Sequence, residues 1–200
     1  MRREVVVLTL SEKWHEKCVA VYDMRTGEIL RLVRTPEGDG IPSQCTSQLH
    51  LLDIIEIEDL GSVPLEHQTE NILIDLDQGL HKVGHVNELD LLEQLANCHV
   101  PVFGDTSYKL YAANHLEHSL EIVKFSDMSF TENENRKTKV SFKVNGRWHN
   151  YYSVTDRTFF GWTEPIAAGY AVVSIPPSDN FTREGRGYFK YVSAIYPENE

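Results

Sequence analysis

The chain has 200 residues, of which 41% are hydrophobic and 24% are charged. That composition supports one large packed domain or two small ones, and no apolar run approaches the roughly 18 residues that a membrane-spanning helix needs. The three scattered cysteines, Cys18, Cys45 and Cys98, argue against a disulfide framework and for a reducing compartment. We therefore expect a cytoplasmic protein without a membrane span.

Short β-rich runs dominate the first half of the chain. Residues 5–10, 17–23 and 28–33 predict three strands, because turn-forming residues separate them. The run at 5–10 predicts a buried strand rather than a leader, since it is short and charges follow at once. Apolar and acidic residues alternate at 55–58, which predicts a half-buried strand, and residues 71–76 form another short apolar run.

One segment, residues 87–97, predicts a helix. Asn87 is suited to cap it, and Leu89, Leu92 and Leu95 form an apolar stripe along one side. Beyond it, strands are predicted at 119–130, 139–144, 147–156, 169–176 and 187–196.

About ten short strands with one clear helix indicate a mostly β protein. Because five strands make a small Greek-key barrel, we predict two OB-like Greek-key barrels packed together, with one or two short helices. The predicted domains are residues 1–98 and 99–200, joined near residues 97–103.

A hairpin is predicted around Asn145-Gly146, a pair that suits a type I′ turn. A two-residue turn pairs Val144 with Arg147, and side chains then alternate between the two faces. The inner face carries Val140, Phe142, Val144, Arg147, His149 and Tyr151. The outer face carries Lys139, Ser141, Lys143, Trp148, Asn150 and Tyr152.

The outer face combines rings, lysines, an amide and a hydroxyl. Rings stack on bases and lysines neutralise phosphates, which is the composition of single-strand nucleic-acid platforms. The net charge of −11 is concentrated in residues 51–100, whereas residues 136–147 hold five basic residues and no acid. We predict a non-catalytic module that binds single-stranded DNA or RNA through Lys139, Lys143, Trp148, Asn150 and Tyr152. The alternative is that both rings pack against another element and the lysines are merely solvated.

Another hypothesis is a protein-interaction accessory module of a multi-component system. In that hypothesis the acidic residues 51–100, which hold eleven acids and one lysine, meet a basic partner.

A polar cluster, His67, Gln68, Glu70 and Asn71, precedes the run at 71–76. A histidine and a glutamate can act as base and acid or bind a metal, which makes an enzyme the third hypothesis. We expect these residues instead to hold a loop in place through hydrogen bonds to backbone groups. The histidine pairs at 81 and 85 and at 115 and 118 lack a cysteine cluster or a zinc-binding pattern, so neither a metal nor a cofactor is predicted.

The first strands resemble those of the bacterial dual OB-containing domain proteins. The matching positions are Ser11, Lys13, Cys18, Val19, Ala20, Gly27, Ile29, Arg31, Leu32 and Val33, followed by His67, Gln68, Glu70, Asn71 and residues 154–156. Tyr22 and Ile29 depart from the pattern, where a glycine-like turn residue and an aromatic are common. The resemblance implies two OB-type barrels and no chemistry, and it implies nucleic-acid binding only by analogy with other OB folds.

Overall fold

The computed structural model describes the chain except residues 14, 87–88, 98–100, 112–115, 179, 183–184 and 199–200. Two compact units divide the chain, residues 1–87 and residues 88–200. The domain limits 1–98 and 99–200, and the packing of the two barrels against each other, stay predictions.

The first unit is a barrel with an extra edge strand. Its strands are β1 (Arg2–Lys13), β2 (Glu16–Asp23), β3 (Glu28–Val33), β4 (Ile41–Pro42), β5 (Asp53–Ser62), β6 (Asn71–Ile74) and β7 (His81–His85). Pairing runs β1-β2-β3-β6-β5 and returns from β5 to β1, while β7 extends beside β5 and β4 beside β2. The β3–β6 pair is parallel and the other pairs of the ring are antiparallel. We call this ring the first barrel.

The core of the first barrel follows from the period of two along each strand. On β2 and β3 the inward positions include Val19, Val21, Leu30 and Leu32, which are buried together with apolar residues of β1, β5 and β6. Short 3-10 turns at Ser43–Thr46 and Leu76–Gln78 connect the strands.

The second unit contains a second ring of the same order. It comprises the helix α1 (Asp90–Leu95) and the strands β8 (Lys109–Leu110), β9 (Leu120–Glu132), β10 (Thr138–Val144), β11 (Arg147–Val154), β12 (Ile166–Ser174), β13 (Asn180–Thr182), β14 (Gly185–Phe189) and β15 (Tyr191–Pro197). Strands β10-β11-β15-β12-β9 close a barrel, and β13, β14 and β8 form a small separate sheet. The closing pair β11–β15 is again parallel. We call the ring the second barrel.

Both rings run first–second–third–fifth–fourth strand, with a parallel third–fifth pair. Closure leaves the ring strands no free edge, and a five-stranded Greek-key ring is the architecture of the OB fold. The predicted mostly β fold with few helices is confirmed.

The predicted helix is present but short. Its Leu92 is buried, and the predicted cap Asn87 lies outside the described residues. Within the described ranges, no helix has the length and apolar character that crossing a membrane would require.

Candidate nucleic-acid interface

The predicted hairpin is formed by β10 and β11. Asn145 and Gly146 both have positive φ, 48° and 74°, as a type I′ turn requires. The pairs Val144–Arg147, Lys143–Trp148 and Phe142–His149 are as predicted. Phe142 and His149 are fully buried and their rings stack 5.5 Å apart, which confirms the inner face near the turn.

Beyond His149 the register shifts by one residue. Val140 pairs with Tyr152 rather than with Tyr151, because a β-bulge places an extra residue in β11. Tyr151 adopts φ 63°, its amide donates to the Ser141 hydroxyl at 3.3 Å, and its side chain is 62% exposed. The predicted outward position of Tyr152 and the predicted inward position of Tyr151 are therefore wrong: the bulge exchanges them.

Tyr152 lies in a buried polar network inside the second barrel. Its hydroxyl donates to the Ser107 carbonyl at 2.9 Å and lies 3.1 Å from His149 Nδ1. Burial raises the pKa of Tyr152, and burial together with the Lys190 charge lowers the pKa of His149 to about 4. A ring held this way is a core residue, so Tyr152 is not available for stacking.

Lys190 completes this buried network. Its ammonium donates to the carbonyls of Val102 and Asp105, at 2.6 Å each, and burial lowers its pKa to about 8. The segment before β8 is thereby fixed to the barrel by two cationic hydrogen bonds and one tyrosine hydroxyl.

The outward residues of the hairpin form what we call the hairpin face: Lys139, Ser141, Lys143, Trp148, Asn150, Tyr151 and Ser153. Trp148 is 45% exposed, and Asn150 is exposed as well. The structure thus brings together four of the five predicted binding residues and replaces Tyr152 with Tyr151.

Lys139 is the half-buried cation of the hairpin face. Its ammonium donates to the Ser153 hydroxyl at 2.6 Å, and it makes no ion pair with a carboxylate in the part of the chain that the structure describes. Burial, with a smaller effect from the nearby Lys137 charge, lowers its pKa. A charge in this setting lacks compensation, and an anion placed against it would supply that compensation.

Lys143 differs from Lys139 because its charge is paired. Its ammonium lies 3.0 Å from an Asp127 carboxylate oxygen and 4.9 Å above the centre of the Trp148 ring. Asp127 has φ 53° and stands where the pairing of β9 with β10 shifts between Ser129 and Ser126. A second bulge therefore presents this carboxylate to the hairpin face, and nothing in the sequence pattern indicated it.

The polar cluster predicted from the sequence belongs to the first barrel. His67, Gln68 and Asn71 are buried, and the Glu70 carboxylate lies 3.4 Å from the Arg31 guanidinium on β3. The backbone groups of the segment bond to one another and to Arg31, whose amide donates to the Glu70 carbonyl. The Asn71 side-chain amide has no hydrogen-bond partner among the described residues, so its part in the loop is carried by its backbone.

Residues 51–100 use much of their acidic charge within the first barrel. Asp53 binds Lys82 and His85, Asp59 binds Arg3, and Glu58 binds the N-terminal amine. The predicted basic protein partner for this span stays a prediction. Over the described ranges, no three metal-ligating side chains are grouped so that they could hold a metal ion.

Two closed five-stranded Greek-key rings in tandem define a protein of two OB-type barrels. In such barrels the face of the second and third strands commonly binds oligonucleotides or oligosaccharides, and in the second barrel those strands are β10 and β11. Residues 3–195 match the Dual OB-containing domain family, and the chain belongs to that family.

No curated protein matches the chain. Among solved structures, the tetrameric p202 HIN2 is similar over 99% of this chain and 91% of its own, at 10% identity and a TM-score of 0.33. A similarity this low carries no functional argument.

Proposed function

We propose that the second barrel binds single-stranded nucleic acid on the hairpin face. The observation that carries the proposal is Lys139, a half-buried ammonium that donates to the Ser153 hydroxyl and has no carboxylate partner in the described part of the chain. Burying a charge without a counter-charge costs free energy unless a ligand supplies one. A backbone phosphate has the required charge and hydrogen-bond acceptors.

Exposed rings supply the second half of the argument. Trp148 and Tyr151 lie on the same face as Lys139, and a stacked base contributes about 1–3 kcal/mol on such a ring. Asn150 and Ser141 add donors and acceptors between them. Cations with rings in this arrangement recognise phosphate and base together, without a need for base-specific contacts.

The loop between β9 and β10, residues 133–137, carries two cations and one acid, Glu134. Arg136 and Lys137 lie between β9 and β10, on the loop that OB-type barrels use beside the second and third strands. Both are exposed, so the positive charge extends past Lys139 on that side. This local charge allows anion binding by a protein whose net charge is −11.

The test is a titration of the full chain into a labelled oligothymidylate at two salt concentrations. Trp148→Ala should weaken binding about 5- to 150-fold, the loss expected for one stacked base. Lys139→Ala should weaken binding and reduce the salt slope by about 0.7, the value for one phosphate of a single strand.

Folding controls accompany that titration. Trp148→Ala should lower the free energy of unfolding by only about 1 kcal/mol, because the ring is 45% exposed and its contact with the Lys143 ammonium is weak in water. Phe142→Ala should cost about 3–5 kcal/mol, since that ring is fully buried. Wild-type affinity in Trp148→Ala, or unfolding of that variant as severe as in Phe142→Ala, would contradict the proposal.

A further inference from the structure

The position of Asp127 suggests a role in regulating ligand affinity. In a regular strand each side chain alternates with its neighbours, but β9 carries one extra residue opposite β10 at this point. Left-handed backbone at a non-glycine residue is unfavourable, although aspartate tolerates it better than most. The result is a carboxylate that is 57% exposed and lies 3.0 Å from the Lys143 ammonium.

Lys143 makes a second contact, with the ring of Trp148. Its ammonium lies 4.9 Å from the ring centre, a distance at which the ring attracts the cation. A base that stacked on the ring face that this ammonium does not cover would bring its phosphate next to the cation.

The first barrel contains a more buried ion pair. Arg31 lies on β3, the third strand of its ring, and Glu70 binds it where both side chains are almost fully buried, 5% and 6% exposed. The pair of Lys143 and Asp127, on the second and first strands of the second barrel, is 31% and 57% exposed. A buried ion pair is costly to break, whereas an exposed one contributes little and exchanges with solvent ions.

We propose that Asp127 is a displaceable occupant of the phosphate position beside Lys143, and that it sets the affinity of the hairpin face for anionic strands. This inference rests on the proposed function of that face. A phosphate must replace the carboxylate to reach Lys143, so each binding event breaks one ion pair and forms another. Ligands that offer an anion without a ring to stack gain little from that exchange. A neutral oligosaccharide, the other ligand class of OB-type barrels, would leave the pair intact.

Asp127→Asn is the direct test, because asparagine also tolerates left-handed backbone. It should tighten binding of a labelled oligothymidylate by about two- to five-fold at low salt, the fold-change expected for one exposed ion pair. Asp127→Gly provides a second variant that removes the charge with no backbone strain. Asp90→Asn, an exposed acid on α1, removes the same charge elsewhere in residues 88–200 and should have a smaller effect.

A double-mutant cycle ties the effect to Lys143. In a Lys143→Gln background, Asp127→Asn should no longer tighten binding, because the cation that the carboxylate neutralises is gone. Equal tightening in both backgrounds, or no tightening in Asp127→Asn and Asp127→Gly, would overturn the inference while leaving the proposed function in place. Failure of the wild-type chain to bind any single strand at low salt would overturn the proposed function itself. Binding of a neutral oligosaccharide in place of the strand, unaffected by Asp127→Asn, would also overturn both.

Discussion

The two barrels have the same strand order, but the outward side of their second and third strands differs in solvent exposure. In the first barrel, the outward side of β2 and β3 is largely covered: Ala20 is fully buried, Arg31 is buried against Glu70, and Tyr22 is half-buried. In the second barrel, the outward side of β10 and β11 exposes Trp148 and Tyr151. The ring order therefore does not decide whether a barrel offers a binding surface.

The difference comes from what the chain places on each face. The segment before β6 brings Glu70 onto Arg31 in the first barrel, so its cation already has a partner. On the hairpin face, Lys139 donates to a serine hydroxyl and has no carboxylate partner among the described residues, whereas Lys143 is paired with Asp127 in a solvent-exposed contact. The first barrel satisfies the Arg31 cation internally, whereas the second leaves cations and rings at least partly exposed, as the proposed binding requires.

The largest expected effect concerns the buried Arg31–Glu70 pair of the first barrel. Glu70→Ala should lower the free energy of unfolding of the first barrel by about 3–5 kcal/mol, because it leaves Arg31 buried without its carboxylate. Asp127→Asn in the second barrel, which keeps a residue that tolerates left-handed backbone, should cost less than about 1 kcal/mol. Denaturant unfolding followed by circular dichroism gives both values, and equal losses in the two variants would remove the distinction between the barrels.

Acid should destabilise the second barrel before the first. His149 has a folded-state pKa of about 4 against an ordinary 6.5, so the fold favours its neutral form. The stability this gives is complete above about pH 6.5 and is lost as the pH falls towards 4. The free energy of unfolding of the wild type, relative to that of a His149→Phe variant, should therefore fall by about 2–3 kcal/mol over that window.

In the first barrel, the pKa values of Asp23 and Asp53 are lowered below 3.8. The stability they contribute is therefore present above 3.8 and is lost only as the pH falls further. Burial raises the pKa of Glu121 in the second barrel, so this residue makes the barrel more stable as the pH falls. The effect of His149 must therefore be measured as the difference in stability between the wild type and the His149→Phe variant. If the difference in the free energy of unfolding between the wild type and His149→Phe stayed constant from pH 7 to about pH 4, the lowered pKa of His149 would be contradicted.

Tyr151→Gly separates binding from stability. Loss of the ring should weaken oligothymidylate binding by about 1–3 kcal/mol, while glycine accepts the left-handed backbone and keeps stability within about 1 kcal/mol. Tyr22→Ala is the matched control, since Tyr22 lies on the outward side of β2 in the first barrel, and its affinity should equal that of the wild type. Equal weakening in both variants would show that the faces do not differ.

The smallest effect is a pH dependence of binding. An exposed lysine has a pKa of about 10.4. Because burial lowers the pKa of Lys139 in the free protein, this residue loses its charge at a lower pH. A bound phosphate favours the charged form, so affinity should fall as the pH rises towards that lowered pKa. Lys139→Arg keeps its charge and should flatten the curve, which a pH series of titrations would check.

Much of the fold could be read from the sequence because it rests on periodicity. Alternation marked the strands, and Asn145-Gly146 fixed the turn and three residue pairs beyond it. Tyr152 was misplaced because strict alternation was extended through a bulge. The sequence did contain a sign of this bulge. If Val154 and Tyr152 point into the core, strict alternation also points the Asn150 amide into the core, and burying that amide without a partner is costly.

The candidate site was harder to predict for a different reason. The chemistry of Lys139, Lys143, Trp148 and Asn150 follows from residue type and spacing. Asp127 lies on another strand, β9, and reaches Lys143 only because of the β-bulge at that position. No local sequence pattern predicts this contact. The burial of Arg31 against Glu70 in the first barrel likewise depends on a contact across 39 residues of sequence.

The bulge at Tyr151 also affects how the protein can change in evolution. An inserted or deleted residue in a regular strand turns every later side chain to the other face. In β11 the bulge already absorbs one residue, so the part near the turn and the part from Tyr152 onward keep separate alternation. Ser153 and Val154 pair with β15 and close the ring, while residues 147–151 lie outside that pairing. Mutation can therefore vary the exposed residues of this strand near the turn, such as Trp148 and Asn150, while the barrel stays closed.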